Sequence, residues 1–320
     1  MDISFIIPLY NCLDYTRGAL RTLAASLPAA LAHEIILVDD GSTDGTRAWL
    51  QTLSPPHRVV LNERNLGYAA ANNRGATLAR GEFLVLLNND LVFAPGWLEP
   101  MLAARARLGV RAGCIGNLQY ATGDGRLDHA GIVINHRGKP EHDRAWRPWL
   151  TRLRLVPAVT GACLLVRRED FLESGGFDEN FRNGGEDVDL CLRLRARGRF
   201  NAVALRSRVS HHVSASPGRK RHDEANSRRL AAKWRQELVC LGCQAWSWHA
   251  LEHSWSSSRD PVGWDSAARL LAYVMHLAKH PPAEALAGMQ NVMDEEFSRW
   301  EALEGKLNAP LPAPPTAGAG

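Results

Sequence analysis

Five short, almost unbroken apolar runs punctuate the first 118 positions, at 3–9, 34–38, 58–61, 82–87 and 114–118. Strands covered on both faces read this way, whereas half-exposed strands alternate apolar with polar. Between them, 13–27, 46–53, 68–79 and 95–108 have the character of helices. In the last, Pro95 stands where a first-turn proline is tolerated, and Gly109 supplies a stop signal. Such alternation predicts a parallel sheet flanked by helices.

The pattern weakens from 127 to about 156. A hairpin is expected at 127–135, then a polar stretch holding Lys139, Pro140, His142, Trp146, Pro148 and Trp149. A strand at 159–166 and a helix at 169–173 follow; Gly175 and Gly176 break that helix, and another is expected at 187–197. Beyond about 220 the strand pattern gives way to helical stretches at 223–241, 266–278 and 282–303, the last two separated by Pro281 and Pro282. The expected organisation is an α/β domain over 1–220, a helical region over 221–307, and a Pro/Ala/Gly-rich tail over 308–320 that is expected to be disordered. No internal repeat of solenoid period is present.

Composition narrows the classes. The 320 residues are 45% apolar and 22% charged with a net charge of +4, which excludes a wholly disordered chain. Most of the 38 basic residues are arginine and are dispersed; the one local cluster is Arg219, Lys220, Arg221, Arg228 and Arg229. A nucleic-acid partner is therefore not expected. The 6 cysteines are too few for a disulfide framework. The first residues read as a strand, not a signal peptide, and apolar runs fall short of a membrane span. The expectation is a cytoplasmic protein.

In open α/β sheets ligands bind beyond the carboxyl ends of the strands. Pro8-Leu9-Tyr10-Asn11 follows the first run, Asp39-Asp40-Gly41-Ser42-Thr43-Asp44-Gly45 the second, and Asn88-Asn89-Asp90 the fourth. No G-x-G-x-x-G or P-loop sequence is present. Adjacent carboxylates at a strand end can accept hydrogen bonds from a base and a ribose, or cap a turn; Asp44-Gly45 suits the turn. Asp90 can serve Mg²⁺ or Mn²⁺, which need few protein carboxylates when phosphates are also present, or it can open a helix. Glu186-Asp187 stands at a helix start, preceded by two glycines that let the backbone approach a ligand. It is either a general base or a favourable partner of the helix dipole.

Taken together, S-F-I-I-P-L-Y-N, E-I-I-L-V-D-D-G-S-T-D-G-T, N-L-G-Y-A-A-A-N-N-R-G, F-L-V-L-L-N-N-D, G-G-F-D-E-N-F and G-E-D-V-D-L-C-L-R resemble the family 2 glycosyltransferases over roughly residues 1–235. The resemblance implies a GT-A fold, Rossmann-like with a mostly parallel sheet, here with a C-terminal helical extension. It implies inverting transfer from a UDP- or dTDP-sugar to a glycan, lipid-linked or protein acceptor, in surface polysaccharide or glycoconjugate assembly. Pro8, Tyr10 and Asn11 would border the base and ribose, and Asp39 would accept from the pyrimidine N3–H with Asp40 beside it. Asn65, Gly67 and Asn72 would line the donor pocket. Asn88-Asn89-Asp90 stands where the family carries D-x-D, so Asp90 would bind a divalent cation. His211 or His212, in a segment with Ser216, would complete the metal site, His211 being preferred. Asp187 would be the base and Glu186 a contact to acceptor or donor. Asn88 departs from the pattern by removing the first acidic residue, which implies weaker metal binding. Two other classes fit less well. A sugar nucleotidyltransferase would carry a Gly-rich loop where Pro8-Leu9-Tyr10-Asn11 stands, and a silent nucleotide-sugar-binding module would have no need to keep Asp90 and Asp187.

Three features fall outside these motifs. Cys240 and Cys243, with His249 and His253, suggest zinc only distantly; two cysteines on a helix are the expected arrangement. Trp234, Trp246, Trp248, Trp255, Trp264 and Trp300 are expected to serve mainly in packing. The 266–278 helix, with Arg269, His276 and Lys279, offers a peripheral membrane contact.

Overall fold

The computed structural model describes residues 2–144, 151–212, 222–256 and 263–307. Trp146, Pro148, Trp149, Ser216, the basic cluster at 219–221, the 308–320 tail and the side chain of Trp255 lie outside the described residues. Two compact units emerge: Met1–Asn135 with Lys139–Trp234, and His136–Gly138 with Arg235–Gly320.

In the first unit the chain runs β1 (Ile3–Leu9), α1 (Leu13–Ser26), β2 (His33–Asp39), α2 (Thr46–Leu50), β3 (His57–Leu61), α3 (Tyr68–Leu78), β4 (Phe83–Leu87), β5 (Leu91–Val92), α4 (Glu99–Leu108) and β6 (Ala112–Ala121). Next come β7 (Leu127–His129), β8 (Ile132–Ile134), β9 (Pro140–His142), β10 (Leu153–Leu155), β11 (Cys163–Arg167), α5 (Arg168–Glu173), α6 (Glu186–Ala196), β12 (Phe200–His211) and the start of α7 (Asp223–Ser256). The main sheet has the order β10-β12-β6-β11-β4-β1-β2-β3. β3, β2, β1 and β4 are mutually parallel, as are β6 and β12, while β11 runs antiparallel between β4 and β6. The chain leaves β1 towards β2 on one side and meets β4 on the other. The β1–β4 boundary is thus the switch point where a crevice opens at the carboxyl ends.

Packing explains the parallel half. Every residue of β1 is buried, and Phe5, Ile7, Leu37, Val85 and Leu87 join Leu20 and Leu23 of α1 and Trp97 and Met101 in one core. Each such side chain contributes roughly 1.5–3 kcal/mol of hydrophobic stabilisation.

Several boundaries differ from the sequence expectation. α4 starts at Glu99, with Pro100 in the first turn, so Pro95 belongs to the preceding loop. The 127–135 hairpin does not form: β7 pairs with β6, and β8 pairs with β9. The strand expected at 159–166 begins only at Cys163, because residues 159–162 form the loop beneath α6.

The second unit contains the rest of α7, α8 (Trp264–Val274) and α9 (Ala283–Leu307). α7 runs past the expected end at 241, and its backbone is non-helical at Trp234. Ala285, Met289, Met293 and Trp300 of α9 are buried, while Trp248 and Trp264 are exposed, so the tryptophans are only partly packing residues. Cys240 is exposed and Cys243 buried, its thiol donating to the Val239 carbonyl. Burial, with Cys240 nearby, pushes the Cys243 thiol up to about 11, the opposite of what a zinc thiolate needs. No helix among the described residues is long and apolar enough to cross a membrane.

Candidate active site

At the end of β1 the chain turns through Asn11 and Cys12, both with φ near +60° (57° and 61°). Asn11 holds the loop after β2: its N–H donates to Ser42 Oγ at 2.8 Å, and its Oδ1 accepts from Thr43 N at 2.8 Å and Asp44 N at 3.3 Å. Asp44 in turn accepts from Thr46 N at 2.9 Å, the Asx turn that the Asp44-Gly45 pair suits. Pro8 is buried within β1, whereas Tyr10 stands half exposed at the rim.

The two aspartates closing β2 have different surroundings. Asp39 is fully buried; Oδ1 accepts from Ser42 N at 3.3 Å and Oδ2 lies 3.3 Å from Arg47 Nε. Asp40 accepts from Asn62 Nδ2 at 2.7 Å, Leu66 N at 3.0 Å and Gly67 N at 2.8 Å. It thereby anchors the whole 62–67 loop at the crevice. Asn65 is exposed on that loop. Asn72, fully buried, donates to the Tyr68 carbonyl at 2.9 Å and leaves its Oδ1 without a hydrogen-bond partner.

After β4, Asn88 N donates to the Ala162 carbonyl and Asn89 Nδ2 to Thr16 Oγ1, both at 2.9 Å. Asp90 comes next, and its position follows from the two-residue strand β5. Leu91 pairs with His211 and Val92 with Ser210 at the far end of β12. That pairing sets Asp90 Oδ1 3.2 Å from His211 Nε2. Among the described residues, neither Asp90 Oδ1 nor His211 Nδ1, both buried, has a hydrogen-bond partner. His212 turns elsewhere: Nδ1 lies 2.9 Å from Thr122 Oγ1 and its ring 4.9 Å from Tyr15. Among the described residues, no three His, Cys, Asp or Glu side chains converge as a ready metal site.

Opposite, α6 begins with Glu186 and Asp187. Glu186, buried, accepts from Gly184 N at 2.7 Å, closing the glycine turn on itself. Asp187 accepts from Gly161 N through Oδ2 and from its neighbour Val188 N through Oδ1, each at 2.8 Å. Two residues on, Asp189 is fully buried and accepts from Arg193 Nε, Lys233 Nζ and Trp234 Nε1 at 2.8, 2.7 and 2.8 Å. Arg193 also donates to the carbonyls of Ser174 and Gly176. Asn73 grips Phe177 N and O at 2.8 and 2.9 Å, so the G-G-F-D segment is built into the fold by α3 and α6.

Sequence reasoning missed two residues around this site. Tyr68 donates to the Gly161 carbonyl at 2.8 Å; its only signal was a bulky phenol opening a helix of small residues. His129 on β7 is fully buried, with Nε2 3.5 Å from Thr160 N. Burial first, then His142, His211, Arg154 and Arg144, hold its imidazole well below the usual 6.5. A depressed histidine binds its proton in the unfolded chain first, so stability is full above 6.5 and falls as pH drops below it. Between pH 7 and 5.5 the wild type is expected to lose about 1 kcal/mol more stability than His129→Asn, read from urea melts. Equal losses would remove His129 as the cause.

The chain matches the profile of glycosyl transferase family 2 over residues 4–174. It is 36% identical to the O-antigen biosynthesis protein RfbC of Myxococcus xanthus, over 67% of this chain and 17% of that protein. It is 30% identical to an N-acetylglucosaminyl-diphospho-decaprenol L-rhamnosyltransferase of Mycobacterium tuberculosis, over 76% of this chain and 87% of that protein. The chain spans less than a third of the length of the first two curated relatives that it matches. Among solved structures, GalNAc-T7 with UDP, GalNAc and Mn²⁺ superposes with a TM-score of 0.61 at 20% identity, over 98% of this chain and 58% of that one. The mixed sheet is thus the GT-A fold, and the chain belongs to glycosyl transferase family 2.

Proposed function

We propose that this protein transfers a sugar, with inversion, from a UDP- or dTDP-sugar to an acceptor hydroxyl in surface polysaccharide or glycoconjugate assembly. The observation that carries the reading is that the crevice at the β1–β4 switch point holds Asp90 facing His211, and that Asp187 stands at the start of α6 in the same unit. In this reading Tyr10 and the backbone held by Asn11 and Asp39 border the base and ribose. Asp40 shapes the 62–67 loop on which Asn65 and Gly67 meet the donor, with Asn72 behind them and Asn88 and Asn89 at the end of β4. Inversion requires the acceptor hydroxyl to attack opposite the leaving diphosphate. Asp187 takes that hydroxyl's proton as the bond forms, and Glu186 orients the incoming group. The anomeric carbon passes through an oxocarbenium-like state, as in glycoside hydrolysis.

Asp90 Oδ1, buried with no hydrogen-bond partner among the described residues, and His211 Nε2, 3.2 Å from it, would together hold a divalent cation, Mg²⁺ or Mn²⁺. When bound, the cation offsets negative charge on the departing diphosphate. A thermal-shift screen of nucleotide sugars with and without Mn²⁺ tests donor and cation together. A UDP- or dTDP-sugar is expected to raise the Tm, more so with Mn²⁺. His211→Ala is expected to erase the Mn²⁺ increment while His212→Ala retains it. No stabilisation by any sugar nucleotide would count against the donor class, and loss of the increment in His212→Ala against the pairing.

The rhamnosyltransferase relative is named for a diphosphate-linked lipid acceptor, and α8 offers a surface for one. Trp264, Leu271 and Met275, at i, i+7 and i+11, form an exposed apolar stripe, with Leu277, Lys279 and His280 beyond it. The reading is a peripheral contact with an anionic membrane on its cytoplasmic side. Leu271→Glu with Met275→Glu is expected to abolish co-sedimentation with phosphatidylglycerol vesicles at unchanged Tm. Equal binding by the variant would refute it.

A further inference from the structure

Tyr68 is the first residue of α3, immediately after Gly67, whose N–H is held by Asp40. Its hydroxyl donates to the Gly161 carbonyl at 2.8 Å, and the N–H of that same glycine donates to Asp187 Oδ2 at 2.8 Å. A Cβ at 161 would lie 3.0 Å from the Tyr68 hydroxyl oxygen and 3.5 Å from Asp187 Cβ, so Gly161 is wedged between the two side chains. The phenol ring is steadied by Phe177, 5.9 Å away between centroids, and Phe177 is itself gripped by Asn73 of the same helix. An unbroken line of contacts therefore runs from the end of β2, through Asp40, Gly67, Tyr68 and Gly161, to the carboxylate of Asp187.

We propose that Tyr68 is a positioning residue for the base: by fixing Gly161 from the α3 side, its hydroxyl sets the orientation in which Asp187 meets the acceptor proton. This rests on the reading of Asp187 as the base. Each carboxylate oxygen of Asp187 spends one lone-pair direction on a backbone N–H, so the orientation of those donors decides where the remaining directions point. Burial, reinforced by Glu186 and Asp187, raises the Tyr68 hydroxyl well above its ordinary 10, so it remains a protonated donor throughout the neutral range. The arrangement also ties the loop on the donor side to the base, because the line starts at Asp40, just beyond β2, and ends at Asp187 in the first turn of α6.

The test is Tyr68→Phe, which keeps the ring and removes the hydroxyl, measured beside Asp187→Asn and the wild type. The probes are UDP-N-acetylglucosamine, UDP-glucose and dTDP-L-rhamnose with Mn²⁺ and water as the acceptor, followed by hydrolytic release of nucleoside diphosphate, with Tm recorded for each protein. For Tyr68→Phe the expectation is a kcat lower by about tenfold with donor KM within about twofold and Tm unchanged, as for a misaligned base. An unchanged kcat overturns the proposal. A fall in kcat accompanied by a matching rise in donor KM or loss of Tm also overturns it, since the hydroxyl would then serve the fold or the donor pocket. Near-wild-type turnover in Asp187→Asn defeats the base assignment itself, separately from anything Tyr68→Phe does.

Discussion

Asp187→Asn is expected to abolish sugar transfer, lowering turnover by about 10²–10⁴ while the donor still binds. The substitution keeps the shape of the side chain, so what changes is chemistry. An acceptor hydroxyl attacks the anomeric carbon poorly unless its proton leaves as the bond forms, and an amide cannot receive that proton. The carboxylate is held by Gly161 N and Val188 N, both donors. An asparagine would satisfy one of them with its oxygen and oppose the other with its own N–H₂, a local cost confined to the start of α6. In the proposed function, donor contacts are assigned to the loops after β1, β2, β3 and β4 and to α3, on elements other than α6. The measurement is isothermal titration of the best-binding nucleotide sugar together with release of nucleoside diphosphate. Retained binding with lost turnover is the expected pair of results; retained turnover would reassign the base.

Asp189→Ala, two residues further along the same helix, is expected to act through stability. Its carboxylate is fully buried and answers Arg193, Lys233 and Trp234 at once. Removing it leaves a mostly buried guanidinium without its counter-ion, an indole N–H without its acceptor, and an ammonium, itself about a third exposed (36%), with Asp178 at 3.3 Å as its remaining carboxylate. Breaking a buried pair from one side costs about 3–5 kcal/mol, and the exposure of Lys233 argues for the lower end, about 3 kcal/mol. For a chain of this size that corresponds to a fall in Tm of roughly 6–12 °C. The expected signature is a lower Tm with kcat preserved at temperatures where the variant is folded. A loss below about 1 kcal/mol would show that the three donors find other partners. The two aspartates of one G-E-D-V-D segment thus separate chemistry from architecture.

The parallel half of the sheet was legible because β1, β2 and β4 are buried on both faces and therefore written as apolar runs. The acidic residues at their ends were equally visible, but their division of labour was not. Asp40 and Asn11 spend their side chains on neighbouring loops, and only the partners at 62–67 and 42–44 reveal it. β12 was marked in the sequence only by the histidine at its end. Arg206, Ser207, Arg208 and Ser210 interrupt it, and its pairing with β6 shifts register between Ala204 and Arg208. The contacts between Tyr68 and Gly161, and between Asp90 and His211, join positions far apart in the chain. No local pattern encodes such pairs; only the sheet order brings them together.

The two-residue strand β5 has a consequence for how the molecule comes into being. Asp90 meets His211 only when Leu91 and Val92 dock against the last strand of the sheet, whose residues are synthesised long after β1 to β4. A ribosome adding about 5–20 residues per second lays down β1 to β4 and the loops after them seconds before it can supply the histidine. During that interval the emerging chain has neither α6 nor the end of β12. On the proposed reading, sugar transfer is therefore deferred until the later part of the chain has folded, because Asp187 and His211 both belong to it.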